Sequence, residues 1–256
     1  MMQKSYKLKN SSFNLASGRR LFALFFILLA SLLFFSGMAY AAPGGPVVLA
    51  NSTDIGPTQP AALRQDPRGT ITNISFSFVQ QNMRWKAYVG NVSGAYSLRD
   101  SSNYTIYDWT FSSNSGEVYA TRANSVTWTA VSCADTTDVS TEQGAMNETE
   151  SNSDVISKTF NKVVHRAFSV GTVPISLNTC NSTATYLNSA AQAYNETTTK
   201  FQEVLMHDGA SAFIYTALLD YDTSGYNNKF YDFQMLVAED EGAAAPTPYY
   251  FYVELI

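Results

Sequence analysis

The amino-acid sequence predicts an all-β fold, an antiparallel β-sandwich of the Ig-like or jelly-roll-like type, preceded by a helical signal peptide. Apolar and polar side chains alternate with a period of two from Ile71 onward. Turn signals rich in Gly, Asn and Ser recur about every 10 to 12 residues. Tyr and Phe, 16 of each, favour strands, whereas the helix formers Lys, Glu and Leu are sparse.

Residues 1–41 have the parts of a signal peptide. A basic, acid-free start is followed by the apolar run 21–35, and then by the small-x-small triplet Ala39-Tyr40-Ala41. This pattern predicts cleavage between Ala41 and Ala42. The alternative is an uncleaved anchor, because residues 21–42 approach the roughly 20 residues that cross a bilayer. Both alternatives export the rest of the chain, with membrane attachment only through an uncleaved leader.

The exported part is acidic. The whole chain has 16 basic and 21 acidic residues, and removing the five basic residues of the leader leaves a charge near −10. Such a surface repels nucleic acid and anionic lipid, and it favours solubility or cation binding. A nucleic-acid partner is therefore not expected.

Residues 42–69 predict an extended N-terminal arm, because five prolines and four glycines interrupt any periodicity. Its one apolar run, 46–50 (PVVLA), can pair as an edge strand with its own domain or with a neighbour's. Residues 70–256 are predicted to form a single β-sandwich domain.

The strands of that domain are predicted in order along the chain. A hairpin turns at Gly90, a polar excursion over 134–157 holds one short helix, a second polar insertion over 180–200 is helical at 190–194, and another hairpin turns around Gly225. The predicted strands are 85–89, 96–98, 104–111, 117–122, 125–132, 163–164, 168–170, 175–177, 201–206, 211–221, 229–237 and 249–256.

Cys133 and Cys180 are the two cysteines of the chain, and both follow the leader. In an oxidising compartment they predict a disulfide that ties the second polar insertion to the start of the first. Closing this loop is worth about 3 to 4 kcal/mol on the loop-entropy estimate. The alternative is a pair of buried free thiols. Cys and His have no metal-ligand spacing here, so they do not favour a metal site.

Seven Asn-x-Ser/Thr triplets predict N-glycosylation of an exported β surface, at about twice the density that chance gives. The alternative is that an Asn- and Thr-rich surface produces such triplets by composition. The triplets begin at Asn51, Asn73, Asn91, Asn103, Asn147, Asn181 and Asn195.

The segment "DYDTSG" is the nearest approach to a metal motif. Asp220, Asp222 and Ser224 precede Gly225 with the spacing of a calcium loop, but Tyr231 stands where that loop needs a bidentate carboxylate. A plain hairpin turn is favoured over a calcium site. No other cofactor is expected.

The sequence predicts no enzyme. His165 and His207 lie in no nucleophile, metalloprotease or phosphate-loop motif. Trp85, Trp109 and Trp128 can stack on sugar rings, but their strand positions favour sandwich core.

The segments "WKAYVGNVSGAYSL", "YTIYDWTF", "GEVYATRANSVTW", "YDFQMLV" and "YYFYVELI" resemble a group of uncharacterised exported archaeal surface proteins. The likeness covers residues 85–256. It implies an archaeal envelope protein and brings no assigned activity or functional residues.

These observations lead to two hypotheses about function. The first is a secreted or cell-surface structural or adhesive glycoprotein that associates with itself or with other envelope proteins, as a filament subunit assembled by strand addition. The second is an extracellular carbohydrate- or ligand-binding module. A hydrolase comes third.

Overall fold

The computed structural model describes residues 42–56, 63, 65–75, 81–110 and 115–255. Every strand pair in this part of the chain is antiparallel, which confirms the all-β prediction. The strands are β1 (Trp85–Gly90), β2 (Ala95–Arg99), β3 (Thr105–Thr110), β4 (Gly116–Thr121), β5 (Ser132–Cys133), β6 (Phe168–Val170), β7 (Val173–Ile175), β8 (Ser182–Ala184), β9 (Gln202–His207), β10 (Phe213–Leu218), β11 (Thr223–Ser224), β12 (Phe230–Tyr231), β13 (Phe233–Ala238) and β14 (Tyr250–Leu255).

A six-stranded sheet forms the centre, in the order β14-β4-β10-β9-β5, with β8 also paired to β9. Strands β5 and β8 share one edge of the sheet, because they pair with opposite ends of β9. Strand β14 forms the other edge and pairs with β4 along its whole length.

Both faces of this sheet are covered, so its central strands are buried at every position instead of alternating. Successive residues of β4 enter different cores: Val118 packs in one cluster and Tyr119 in the other. The first cluster contains Met235 and Val237 of β13, which pairs with β1. The second contains Val170 and Ile175 of the β6–β7 hairpin.

Helix α1 (Thr136–Ala145) lies in the first polar excursion, as predicted. The Asp135 side chain accepts hydrogen bonds from the backbone N–H groups of Thr137 and Asp138, and Asp138 bonds back to Asp135. This capping box satisfies N–H groups that the first helical turn leaves unpaired. A shorter helix, α2 (Ile156–Thr159), follows it.

Four local predictions were wrong. The hairpin expected at Gly90 does not form, because β1 pairs with β13 and β2 pairs with β3. The strand expected at 163–164 is irregular backbone, where the Val164 N–H donates to the Ser182 hydroxyl. The expected strand over 125–132 is a 3-10 turn at Trp128–Ala130 followed by the short β5, because the Trp128 ring packs against Tyr119 and Tyr252 at 5.1 Å from each. The expected helix over 190–194 does not form. The Gln192 side chain instead donates to two carbonyl groups and holds this segment as a loop.

The hairpin expected around Gly225 is confirmed as β11–β12. A side chain at Gly225 would place its Cβ 2.6 Å from the Tyr231 ring, so glycine is required there. The predicted disulfide between Cys133 and Cys180 is also confirmed, with a Cα–Cα distance of 4.9 Å. It joins β5 to the segment that enters β8.

The predicted leader, residues 1–41, lies outside the described residues, and so does most of the alternating segment predicted at 74–78. Within the described ranges, no helix has both the length and the apolar character needed to cross a membrane.

Candidate functional site

The N-terminal arm meets the outer edge of β14. Gly44 N–H donates to the Val253 carbonyl at 3.1 Å, and Val253 N–H donates to the Gly44 carbonyl at 2.8 Å. Pro43 beside this bridge is buried. Among the described residues, Gly44 alone pairs with this outer edge.

Pro46 explains why the pairing stops. In an antiparallel ladder Pro46 comes opposite Phe251, at the next hydrogen-bonded position, where it has no N–H to donate. The apolar side chains that follow are left in solvent. Val47, Val48 and Leu49 are 81%, 74% and 83% exposed. The arm thus presents a strand-forming segment beside a sheet edge that it does not cover.

Two acidic side chains, Glu117 of β4 and Glu254 of β14, lie under this edge. They are directly paired across the two strands, so they share one face of the sheet. Both are buried. Gly116, next to Glu117, allows this close approach, because a Cβ there would lie 2.0 Å from the Glu254 carbonyl. We call Glu117 and Glu254 the acid pair.

The two members of the acid pair have different partners. Glu254 accepts the Tyr119 hydroxyl at 3.0 Å and the N–H of Gly171, which lies 2.9 Å from both carboxylate oxygens. Oε2 of Glu117 has no hydrogen-bond partner. Burial, then the Glu254 charge, raise the pKa of Glu117 to about 8, against the opposing effect of Arg166. Burial also raises the pKa of Glu254, and the Gly171 and Tyr119 hydrogen bonds partly offset it.

The hairpin β2–β3 carries a second candidate surface. Leu98 lies opposite Tyr107, and Trp109 follows two residues later on the same face. These side chains are 54%, 57% and 52% exposed, and the Tyr107 and Trp109 rings meet edge to face at 4.7 Å. We call Leu98, Tyr107 and Trp109 the aromatic face.

The other two tryptophans belong to the core, as the sequence favoured. Trp85 packs 6.0 Å from Phe160, and its Nε1 donates to the Asp154 carbonyl. Trp128 packs between Tyr119 and Tyr252. The core position favoured for Trp109 was wrong, because its side chain is exposed. Of the three, it is therefore the one that can stack on a ligand.

Six of the seven sequon asparagines are exposed, and Asn181 is half-buried. Asn91 and Asn103 lie in the turns that begin and end β2. The Asn103 turn is fixed by the Asp100 carboxylate, which accepts the N–H groups of Ser102 and Tyr104 at 2.9 Å. The exposed asparagines are Asn51, Asn73, Asn91, Asn103, Asn147 and Asn195.

The structure uses Asp220 inside the fold. Its carboxylate accepts the Phe201 N–H at 2.6 Å and lies 3.4 Å from both Arg166 and Lys200. Asp222, at φ 46°, and Ser224 belong to the β11–β12 hairpin. No group of three or more His, Cys, Asp or Glu side chains in the described ranges is arranged to hold a metal ion.

His165 supports the disulfide loop. Its Nε2 accepts the N–H groups of Thr179 and Cys180 at 3.0 Å, and Nδ1 lies 2.8 Å from the Arg166 carbonyl. Burial lowers the pKa of this imidazole, although the Arg166 carbonyl acts in the opposite direction. Both ring nitrogens are therefore engaged by backbone groups. His207 Nε2 lies 3.7 Å from Asp138, and its Nδ1 accepts the Gly209 N–H.

Another buried acid, Glu203, was missed by sequence reasoning, as was the acid pair. Its Oε2 accepts the Leu236 N–H of β13 at 2.8 Å, and Oε1 has no partner. Burial raises the pKa of this carboxyl well above its usual value. A glutamate directly before the apolar run 204–206 is the signal that could have marked it.

A small cleft of about 200 Å³ lies at the end of β4. Arg122 and Glu142 form a bidentate ion pair there, at 3.0 and 2.6 Å. Because this pair already occupies the guanidinium group, the cleft is a weaker candidate than the arm and the aromatic face. Comparisons with protein families, curated proteins and solved structures found no match for this chain.

Proposed function

We propose that this protein is an exported cell-surface glycoprotein, structural or adhesive, whose copies associate by strand addition. One observation carries the proposal: the exposed segment Val47-Val48-Leu49 follows directly after the single bridge that the arm makes to the β14 edge. An open sheet edge with an apolar strand beside it favours pairing between chains.

The three apolar side chains of the arm segment are largely exposed, and among the described residues the ladder in cis stops at Pro46. Pairing the segment with the β14 edge of a second copy satisfies backbone groups and buries apolar area at about 25 cal/mol per Å². The proline prevents the arm from satisfying its own edge and leaves it available to a neighbour.

Several features support an exported protein at the cell surface. The leader pattern directs export, with cleavage after Ala41, the disulfide suits an oxidising compartment, and six sequon asparagines lie on the surface. The resemblance to archaeal surface proteins favours an archaeal envelope. We further propose that the domain is a β-sandwich, in which the β1–β13 ribbon stacks on the six-stranded sheet. Catalysis is not part of this proposal.

Substitution of Val48 tests the assembly. Val48→Pro removes an N–H from the pairing segment, and Val48→Thr is the matched control, because threonine keeps both the N–H and the β-branched shape. We expect light scattering and negative-stain microscopy to show concentration-dependent polymers for the natural chain and for Val48→Thr, and monomers for Val48→Pro. Monodisperse particles from all three proteins would contradict strand addition.

The aromatic face favours a second candidate, a carbohydrate-binding module. Aromatic rings stack on the apolar faces of sugars, and Trp109 and Tyr107 are exposed with no protein partner beyond each other in the contacts described. A glycan array probed with the natural protein and with Trp109→Ala tests it. Ile106→Ala, on the opposite face of the same hairpin, is the control. Selective binding lost only in Trp109→Ala supports the module, and no selective binding rejects it.

A further inference from the structure

The beginning of the arm lies beside the acid pair. The Gly44–Val253 bridge places Ala42 against Gly171, where an added Cβ on Gly171 would be 3.9 Å from the Ala42 Cα. The N–H of Gly171 in turn contacts both oxygens of Glu254. Ala42 and the Glu254 carboxylate therefore both lie close to Gly171.

Ala42 is also the residue that signal-peptide cleavage is predicted to expose. Hydrolysis of the Ala41–Ala42 peptide bond by a signal peptidase consumes one water, leaves a carboxylate on Ala41 and creates an α-amino group on Ala42. At neutral pH much of that group is an ammonium ion with three donors. The uncleaved chain has only a neutral peptide N–H at this position.

The acid pair lacks sufficient positive charge of its own. Arg166 is the cation that acts on Glu117, but its guanidinium also contacts Asp220 at 3.4 Å and donates to the Leu219 carbonyl at 2.6 Å. Glu117 keeps one oxygen without a partner at 3% exposure. Removing one partner from a buried acid costs stability, and adding an ammonium donor restores it.

We propose that the acid pair is a binding site for the α-ammonium group that leader cleavage creates on Ala42, with Glu254 as its direct partner and Glu117 as the second carboxylate. This site rests on the proposed function, because it requires an exported chain whose leader has been cleaved. Occupation of the site anchors the start of the arm, so that Val47-Val48-Leu49 is displayed from a fixed point. Processing would thereby convert a loosely held arm into one that is ready to pair.

The test measures how firmly the arm is held at its Gly44–Val253 bridge. The exported protein is purified, its first residue is established by intact mass, and a portion is acetylated selectively at the α-amino group. Amide hydrogen exchange of Gly44 and Val253 is then compared. We expect acetylation to speed exchange about tenfold, the effect of losing one charge-assisted hydrogen bond. In Glu254→Gln, acetylation should change little, because the direct charged partner is already gone.

Glu203→Gln is the matched control, since Glu203 is equally buried but lies in the other core, against β13. It should keep the full response to acetylation. Equal exchange with free and acetylated termini would overturn the proposal, as would an acetylation response that survives in Glu254→Gln, or a first residue other than Ala42. Light scattering on the same samples reports assembly separately, so failure of the ammonium site and failure of strand addition are distinguishable.

Discussion

Two hairpins of this protein show opposite uses of the same kinds of residue. The β9–β10 hairpin lies at the centre of the sheet, and nearly every side chain in it is buried. The β2–β3 hairpin has apolar side chains on both faces, yet all those with a described position are largely exposed. The difference teaches that strand-forming residues specify the strands, whereas neighbouring elements decide whether those strands become core or contact surface.

The largest expected effect compares one isoleucine in each hairpin. Ile214 of β10 is fully buried, and Ile106 of β3 is 75% exposed. Ile214→Ala should lower the free energy of unfolding by about 3 to 5 kcal/mol, because it leaves a cavity in a packed core. Ile106→Ala should change it by less than about 0.5 kcal/mol. Urea denaturation measures both values. Similar losses would mean that β2–β3 is packed into the fold, contrary to the comparison.

The disulfide gives the next largest effect, because it holds the outer edge of the buried hairpin. Replacing both Cys133 and Cys180 with serine should lower the free energy of unfolding by about 3 to 4 kcal/mol on the loop-entropy estimate. Thermal unfolding of the natural and variant proteins measures the cost. Unchanged exposure of Trp109 to a fluorescence quencher would show that the β2–β3 hairpin does not depend on this crosslink.

Glu203 of the buried β9–β10 hairpin should make the free energy of unfolding depend on pH. Burial raises its folded-state pKa above the usual 4.5, so the folded protein retains a proton that the unfolded chain releases. The free energy of unfolding should therefore fall as pH rises above that value, by up to about 1.4 kcal/mol per pH unit for this one group. Urea denaturation across this range should show a shallower fall for Glu203→Gln. An unchanged slope would contradict the assignment.

Trp109 should affect stability least. Because its side chain is 52% exposed, Trp109→Ala should leave the free energy of unfolding within about 0.5 kcal/mol of the natural value. The same change should weaken any contact that the aromatic face makes with a ligand or a second surface. Surface plasmon resonance against the native envelope measures this contact, with Ile106→Ala as the control. Loss of stability without loss of binding would place Trp109 in the core.

The sequence predicted most of the strands, the disulfide and helix α1 from local patterns. It could not predict the covering of both sheet faces, because a strand such as β4 that is buried throughout has no alternation to read. For the same reason, no local pattern distinguished Glu117 and Glu203 from surface glutamates. Strands β1 and β13 pair although they lie far apart in the sequence, so no local turn signal could predict their pairing. The helix predicted at 190–194 failed because tertiary contacts of Gln192 outweighed a weak local preference.

The central claim is that the arm pairs with the β14 edge of another copy. The most direct test replaces Val48 with a photoreactive amino acid in a mixture of copies labelled with ¹⁴N and ¹⁵N, followed by irradiation and mass spectrometry. We expect crosslinks between the arm and the peptide containing Phe251, with mixed isotope labels that identify two different chains. Crosslinks that join only peptides of the same isotope would show that the arm folds back on its own domain, and would contradict the claim.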